Sequence, residues 1–444
     1  MNIVLLSGGS GKRLWPLSNN ARSKQFLKVL TDENGNKESM VQRVFRQIRR
    51  MDADVQVTIT TSVSQLDSIR SQLGNEVDVV TEPERRDTFP AIMLAAAYLH
   101  DEKSCGLDEP VIIMPVDPYT EQGYFETVKR MEQAVKDNAA DIVLMGIDPT
   151  YPSEKYGYIL PKAAVSGTYA EVERFIEKPG LSEASELLAG GALWNGGVFA
   201  LRLGYLIRRL EAEYGPISFD ALRDRYHDLK KISFDYEVVE KADSIAVVPF
   251  QGMWKDMGTW NTLSEEIDSD TGSVIRGEGT EGTQIINELN IPVVALGAKN
   301  MVIAASHDGI LVTGKSESSY MKPYVDMLEQ RPMFEERRWG SYKVIDYITY
   351  SDGRKSLTKH LEIEAGKKLS YQSHAKRDEI WTIVDGTGIM LLDGHTRNVK
   401  RGDVAYITAG MKHALCAVTD LHMIEVQIGS ELVEEDIIHY TMDW

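Results

Sequence analysis

Residues 2–146 switch repeatedly between two hydrophobic periods, and this alternation limits the fold more than any other feature of the chain. "NIVLL" (2–6) is an apolar run of strand length. "SMVQRVFRQIRR" (39–50) then places Val41, Val44, Phe45 and Ile48 on one helical face. "VQVTITT" (55–61) returns to strand, and "FPAIMLAAAYLH" (89–100) is an Ala-rich helix with Pro90 near its first turn. "VIIM" (111–114), a helix around 123–137 and "DIVLMG" (141–146) repeat the cycle. Strands joined through helices pair in parallel and carry helices on both faces, so an α/β domain with a mostly parallel sheet is expected. Ligands of such sheets bind beyond the carboxyl ends of the strands.

The pattern changes near 267–284, "IDSDTGSVIRGEGTEGTQ", where no apolar face can be drawn. "IPVVALG", "MVIAAS" and "GILVTG" follow as short strands. From about 338 the chain is strand-only, with "YKVIDYI", "SLTKHLEI", "EIWTIV", "GIMLLD", "DVAYIT" and "HMIEVQI" punctuated by Gly and Asp. Short strands at this spacing predict a small all-β barrel or sandwich. The expected organisation is an α/β domain over 1–266, a linker with short strands over 267–335 and a β-barrel domain over 336–444.

The loop after the first strand runs against the charge of the whole chain. The protein carries 49 Lys+Arg against 67 Asp+Glu, a net −18, yet residues 1–31 hold five basic side chains and no carboxylate. Such a net charge argues against nucleic acid as a partner, and the local basic excess points to a multiply charged small anion. "LLSGGSGKRLWPLSNNARSKQF" (5–26) matches neither familiar phosphate pattern. Leu6 stands where a Walker loop needs glycine, and Leu14 where a dinucleotide fingerprint needs its third. What remains is Gly8, Gly9 and Gly11, able to form a nest of backbone N–H donors, followed by Lys12, Arg13 and Lys24. A tight turn with solvated basic residues is the competing reading.

No apolar run approaches the roughly 20 residues of a membrane span, so no membrane partner is expected. The opening run lacks a basic region before it and is read as a buried strand rather than a signal peptide. Only Cys105 and Cys416 occur, which argues against a disulfide framework. A cytoplasmic location is expected.

Together with "EPERRDTFPAI" (82–92), "PVD" (115–117), "KYGYI" (155–159), "FIEKP" (175–179), "WNGGVF" (194–199) and "WKDMGTW" (254–260), the loop resembles the signature of sugar-phosphate nucleotidyltransferases. Its "RLWPLS…KQFL" form is most similar to mannose-1-phosphate guanylyltransferases. The resemblance covers roughly residues 1–265 and implies a Rossmann-like nucleotidyltransferase sheet. It also implies attack of a sugar 1-phosphate on the α-phosphorus of an NTP, with release of pyrophosphate. GTP and mannose 1-phosphate are the expected substrates, giving GDP-mannose; another base or sugar remains an alternative. By the same resemblance, Leu6, Ser7, Gly8, Gly9, Gly11, Lys12, Arg13, Lys24, Glu82, Arg86, Asp87 and Thr88 hold the nucleotide. Gly157, Glu177, Lys178 and Asn195 hold the sugar phosphate, Asp117 and Asp256 hold Mg²⁺, and Arg13, Lys24 and Lys178 are catalytic. Departures include Ser7 for the usual alanine, Asp87 for an amide and Lys255 beside Asp256.

In the tail, Gly366, Gln372, His374, Glu379 and Gly386, then Gly402, Gly410 and His413, fit the spacing of the two cupin motifs. Gln372, His374, Glu379 and His413 are expected to converge inside the barrel as a mixed N/O site suited to Zn²⁺ or another divalent metal. The tail resembles the phosphomannose isomerase half of bifunctional enzymes. Ala375, Lys376 and Ile380, however, replace histidines of the usual pattern, and the loss at 380 removes a candidate base. Three readings stand at this point: a transferase, a transferase that also isomerises mannose 6-phosphate, and a non-catalytic nucleotide-sugar sensor. A homo-oligomer is the expected assembly.

Overall fold

The computed structural model describes residues 1–9, 11–19, 21–163, 167–267 and 269–441. It divides into two compact units, one of Met1–Ser10, Ser23–Leu66 and Leu73–Asp268, the other of Gly11–Arg22, Asp67–Gln72 and Ser269–Trp444. Among the described residues, no helix is long and apolar enough to cross a membrane.

The first unit is built on a nine-stranded sheet. Asp78–Glu82, Gln56–Ser62, Asn2–Ser7 and Pro110–Pro115 pair in parallel, in that order. Leu193–Arg202 follows antiparallel to Pro110–Pro115 and to Ile142–Ile147. Ile142–Ile147 pairs in parallel with Ile245–Phe250, and Ala170–Ile176 and Tyr158–Pro161 close the sheet antiparallel. The expected parallel order therefore holds over the first four strands and gives way to mixed pairing in the second half.

Local chemistry explains the helices. Met40–Met51 opens with a capping box, Ser39 and Gln42 each satisfying the other's backbone N–H. Thr88–Asp101 is apolar nearly all round and buried accordingly. It packs on Leu203–Tyr214 and Phe219–Asp224 as well as on the sheet.

In the second unit, residues 267–335 form more than a linker. Val274–Arg276 pairs in parallel with Val293–Ala295, and Gln284–Asn287 with Met301–Ser306, stacking strands at an offset of about one short coil. Gly309–Gly314 then returns antiparallel. The tail is a two-sheet β structure. Phe334–Arg337, Gly340–Thr349, Lys355–Ile363, Leu421–Gly429, Arg377–Asp385 and Val404–Ile407 form the larger sheet; His395–Lys400, Thr387–Leu392, His413–Ala417, Gln372–His374 and Ile437–His439 form the smaller. Strict alternation buries Leu357, Leu361, Trp381, Ile383, Leu421 and Met423 in one core.

Candidate active site

The carboxyl ends of the parallel strands surround a cavity of about 370 Å³ in the first unit, within the ordinary range for small-ligand sites. Leu6, Ser7, Gly8 and Gly9 form one wall; Glu82, Arg86, Asp87 and Thr88 form a second; Asp117 lies at a third. Eight of the expected nucleotide residues and one expected metal ligand thus meet in one place. A wider cleft of about 940 Å³ elsewhere in this unit contains none of the expected residues.

The glycine loop rests on a buried polar network that the sequence reading missed. Gln65 is fully buried, and its Oε1 accepts from Thr61 Oγ1 (2.9 Å), Gln25 Nε2 (3.1 Å) and Ser7 Oγ (3.4 Å). Its Nε2 donates to Ser23 Oγ at 2.7 Å and reaches the Gly9 carbonyl at 3.5 Å. Ser7, the departure from alanine, also accepts from Gln25 Nε2 at 3.0 Å. The hydroxyl is therefore a structural part of the loop's support. Gln65→Ala strands several buried groups, each costing about 1–3 kcal/mol, and a clear fall in the thermal midpoint is expected.

The second wall is more constrained than its motif implies. Asp87 has φ 73° and caps Thr88–Asp101, accepting from Thr88 N at 2.8 Å. Its charge, in place of an amide, thus serves a helix N-terminus. Arg86 is tethered to the Leu229 carbonyl and to Glu84, both at 2.9 Å, whereas Arg85 is exposed on the cavity rim. Glu82 accepts from Tyr226 Oη at 2.8 Å, and burial raises its pKa.

Asp117 and Asp256 come together because Trp254–Asp256 pairs antiparallel with Pro118–Thr120, setting Asp256 opposite Pro118. The Lys24 ammonium pairs with the Asp117 carboxylate and lies 3.9 Å from Asp256 Oδ1. One cation is therefore already shared by both acids, and both remain partly open to solvent. The donor set suits Mg²⁺, which binds through one or two carboxylates and completes its shell with water and phosphate oxygens. Lys255 turns away, pairing with Glu265 (3.0 Å) and Glu266 (2.6 Å).

Gly157, Glu177 and Asn195 also converge. A Cβ on Gly157 would lie 2.5 Å from Glu177 Oε2 and 3.3 Å from Asn195 Cβ, so any larger residue there displaces the Glu177 carboxylate. Asn195 sits where the register of Leu193–Arg202 shifts, a kink that re-aims side chains. Its Nδ2 donates to Asp235 Oδ1 at 2.7 Å, and its Oδ1 accepts from Gly197 N at 3.0 Å. Lys178, directly before Pro179, has φ 49°, a conformation costing on the order of 1–3 kcal/mol. Its ammonium pairs with Glu177 at 2.5 Å. Burial opposes the Lys178 charge, but Glu177 more than offsets it and the pKa is raised.

Asp235 is a further residue the sequence reading missed. It lines the cavity while holding Asn195, and it lies near Glu177. Burial, then the Glu177 charge, push its pKa up to about 7 from an ordinary 3.8. Between those values the folded chain binds more protons than the unfolded one, so this group's contribution falls as pH rises through that window. Asp235→Asn is expected to flatten the loss of stability between pH 5 and pH 8, an effect on the order of 1–4 kcal/mol, measured by denaturant unfolding at both pH values.

Gly11, Lys12 and Arg13 belong to the second unit and do not line the cavity. Gly11 has φ 65°, and a Cβ there would meet the Asn19 carbonyl. Lys12 pairs with Asp326 at 2.8 Å, and Arg13 is exposed.

The barrel brings its four expected residues together. His374 Nε2 lies 3.0 Å from Glu379 Oε1 and 3.2 Å from His413 Nε2, which is 3.7 Å from Glu379 Oε2. Gln372 Nε2 lies 3.5 Å from His374 Nε2. His413 Nδ1 donates to the Met411 carbonyl at 2.9 Å, and burial lowers its pKa, so a neutral Nε2 lone pair faces the centre. Ligand atoms around tetrahedral zinc with bonds of about 2.1 Å stand about 3.4 Å apart, so the donor set fits a divalent ion. Arg377, Trp381 and Gln427 also donate to Glu379, at 3.0, 3.0 and 3.3 Å. Lys359, Glu425 and Gln427 were missed here, although polar residues at inward positions of "SLTKHLEI" and "HMIEVQI" carried the signal.

A glycine loop at a strand end, with a lysine bridging two carboxylates at its mouth, defines an α/β enzyme domain that handles phosphorylated substrates. The nucleotidyl transferase family model matches residues 2–272, and the chain belongs to that family. A second model, mannose-6-phosphate isomerase C-terminal, matches residues 329–442. The chain is 30% identical to the alginate biosynthesis protein AlgA of Pseudomonas putida, over 98% of this chain and 94% of the relative. It is 29% identical to a mannose-1-phosphate guanylyltransferase of Escherichia coli K12, over 98% and 97%. A Thermus thermophilus crystal structure described as mannose-1-phosphate geranyltransferase superposes with a TM-score of 0.60 at 26% identity, covering 74% of this chain and 99% of that one.

Proposed function

We propose that the chain transfers a guanylyl group from GTP to mannose 1-phosphate, forming GDP-mannose and pyrophosphate. The observation that carries the reading is the Lys24 ammonium shared between Asp117 and Asp256 beside the glycine-walled cavity. Names of full-length relatives support the choice of substrates. A phosphate oxygen of the sugar 1-phosphate attacks the α-phosphorus; the α–β bridging bond breaks and pyrophosphate leaves. Both reactants are anions, so catalysis is alignment plus neutralisation. Asp117 and Asp256 would hold Mg²⁺, which supplies charge to the phosphates when bound. Backbone N–H groups of Gly8 and Gly9 cradle phosphate, and Lys24 neutralises the triphosphate. Lys178 neutralises the sugar phosphate, while Glu177 and Asn195 accept and donate to its hydroxyls. Gly11, Lys12 and Arg13 keep phosphate roles on the strength of the motif, and Lys12 must exchange Asp326 for them.

In the barrel, His374, Glu379, His413 and Gln372 would hold a divalent first-row ion. Isomerisation is not part of the proposal, because Ala375, Lys376 and Ile380 stand where the resembled pattern has histidines. A pyrophosphate-release panel crossing four NTPs with several sugar 1-phosphates tests the reading. GTP with mannose 1-phosphate is expected to give the highest kcat/KM, and preference for another pair overturns the assignment of substrates.

A further inference from the structure

Among the described residues, two groups of His, Cys, Asp or Glu place three ligand atoms within 4.8 Å of one another. One is the barrel-interior set. The other, His360, Glu362 and His422, lies on the opposite face of the six-stranded sheet. Along Lys355–Ile363 the buried positions are Leu357, Lys359, Leu361 and Ile363, and along Leu421–Gly429 they are Leu421, Met423, Glu425 and Gln427. His360, Glu362 and His422 occupy the alternate positions, which side-chain alternation turns outward.

The register assembles this set. Glu362 is the direct cross-strand partner of His422, and His360 pairs with Ile424, two residues along. The imidazoles lie face to face, with centroids 5.4 Å apart and planes 20° apart, and His360 Nδ1 is 3.7 Å from Glu362 Oε1. Both histidines are half-buried, so their backbones are held by the sheet while their ring edges reach solvent. Two imidazoles and one carboxylate, with room for water, form the donor set of an open tetrahedral zinc site. Drawing atoms from within 4.8 Å to the roughly 3.4 Å separation of tetrahedral ligands needs only side-chain rotation.

We propose that His360, Glu362 and His422 bind a divalent first-row transition ion, best matched by Zn²⁺, and thereby clamp two neighbouring strands of the barrel. Magnesium and calcium are disfavoured, because two of the three donors are imidazole nitrogens. One group opposes the ion: Lys343 is the cross-strand partner of His360 on its other side. A unit charge about 6 Å from a divalent ion in a solvent-like medium weakens binding about tenfold.

Equilibrium dialysis of the full chain against Zn²⁺, followed by elemental analysis, tests the site without reference to enzymatic activity. Whatever the barrel interior binds, His360→Ala/His422→Ala is expected to hold one equivalent less than the parent, with transferase activity unchanged. Lys343→Gln is expected to bind the same equivalent about tenfold more tightly. Equal stoichiometry in parent and double variant overturns the proposal. So does a Lys343→Gln chain whose affinity is unchanged or weaker, because the ion then sits elsewhere.

Discussion

Asp256→Asn is expected to lower the rate of pyrophosphate release by at least about 10²–10³-fold, the usual effect of removing one group that stabilises charge at the reacting phosphate. The thermal midpoint should hardly move, because the Asp256 side chain is 42% exposed and its pairing with Lys24 is at 3.9 Å; exposed pairs of this kind contribute little. Asp117→Asn should lower activity similarly, with a somewhat larger effect on folding because its pairing with Lys24 is closer. Excess Mg²⁺ should rescue either variant only in part, since an amide oxygen is a neutral ligand. Steady-state kinetics across a Mg²⁺ titration, alongside thermal unfolding, separates the two effects. Normal turnover by Asp256→Asn removes the paired-carboxylate reading altogether.

Glu379→Ala should have the largest effect on stability. The carboxylate is 1% exposed and accepts from Arg377, Trp381 and Gln427 while touching His374. Burial alone would raise its pKa; the His374 hydrogen bond and the neighbouring positive charge overcome this and hold it down at about 2, against an ordinary 4.5. Truncation leaves the buried Arg377 guanidinium with only the more distant Asp436 carboxylate, at 3.9 Å, and breaking a buried pair in this way costs about 3–5 kcal/mol. Because the folded-state pKa lies below the unfolded one, the stabilisation is complete above about pH 4.5 and is lost as pH falls toward 2. The variant should therefore unfold at much lower denaturant at pH 7, and the gap to the parent should narrow in acid. Arg377→Met/Glu379→Met should cost less than the sum of its single changes, because the two charges in direct contact are then removed together.

Much of the site was legible because its parts are local in sequence. Gly8 and Gly9 directly follow a strand that ends at Ser7, and Asp117 follows one that ends at Pro115, so strand-end logic alone puts them at the ligand-binding edge of the sheet. The cupin spacing brought Gln372, His374, Glu379 and His413 together because each lies on a strand whose register the spacing implies. Gln65, Gln25 and Asp235 were not legible in this way. Glutamine under a loop and aspartate after a short Ser-capped turn have no periodic signature, and their roles exist only where distant segments meet.

By itself, the order of residues determined the alternation of strand and helix, the inward and outward faces of the barrel strands, and the concentration of positive charge after the first strand. These follow from hydrophobic period, turn chemistry and charge counting, all short-range properties of the chain. Tertiary structure alone decided that one lysine bridges Asp117 and Asp256, 139 positions apart in the chain, and that Lys255 turns to Glu265 and Glu266 instead. It also decided that residues 11–22 count with the second unit, where Lys12 meets Asp326. Such pairings depend on which strand ends the sheet order brings side by side, and no local preference encodes that order.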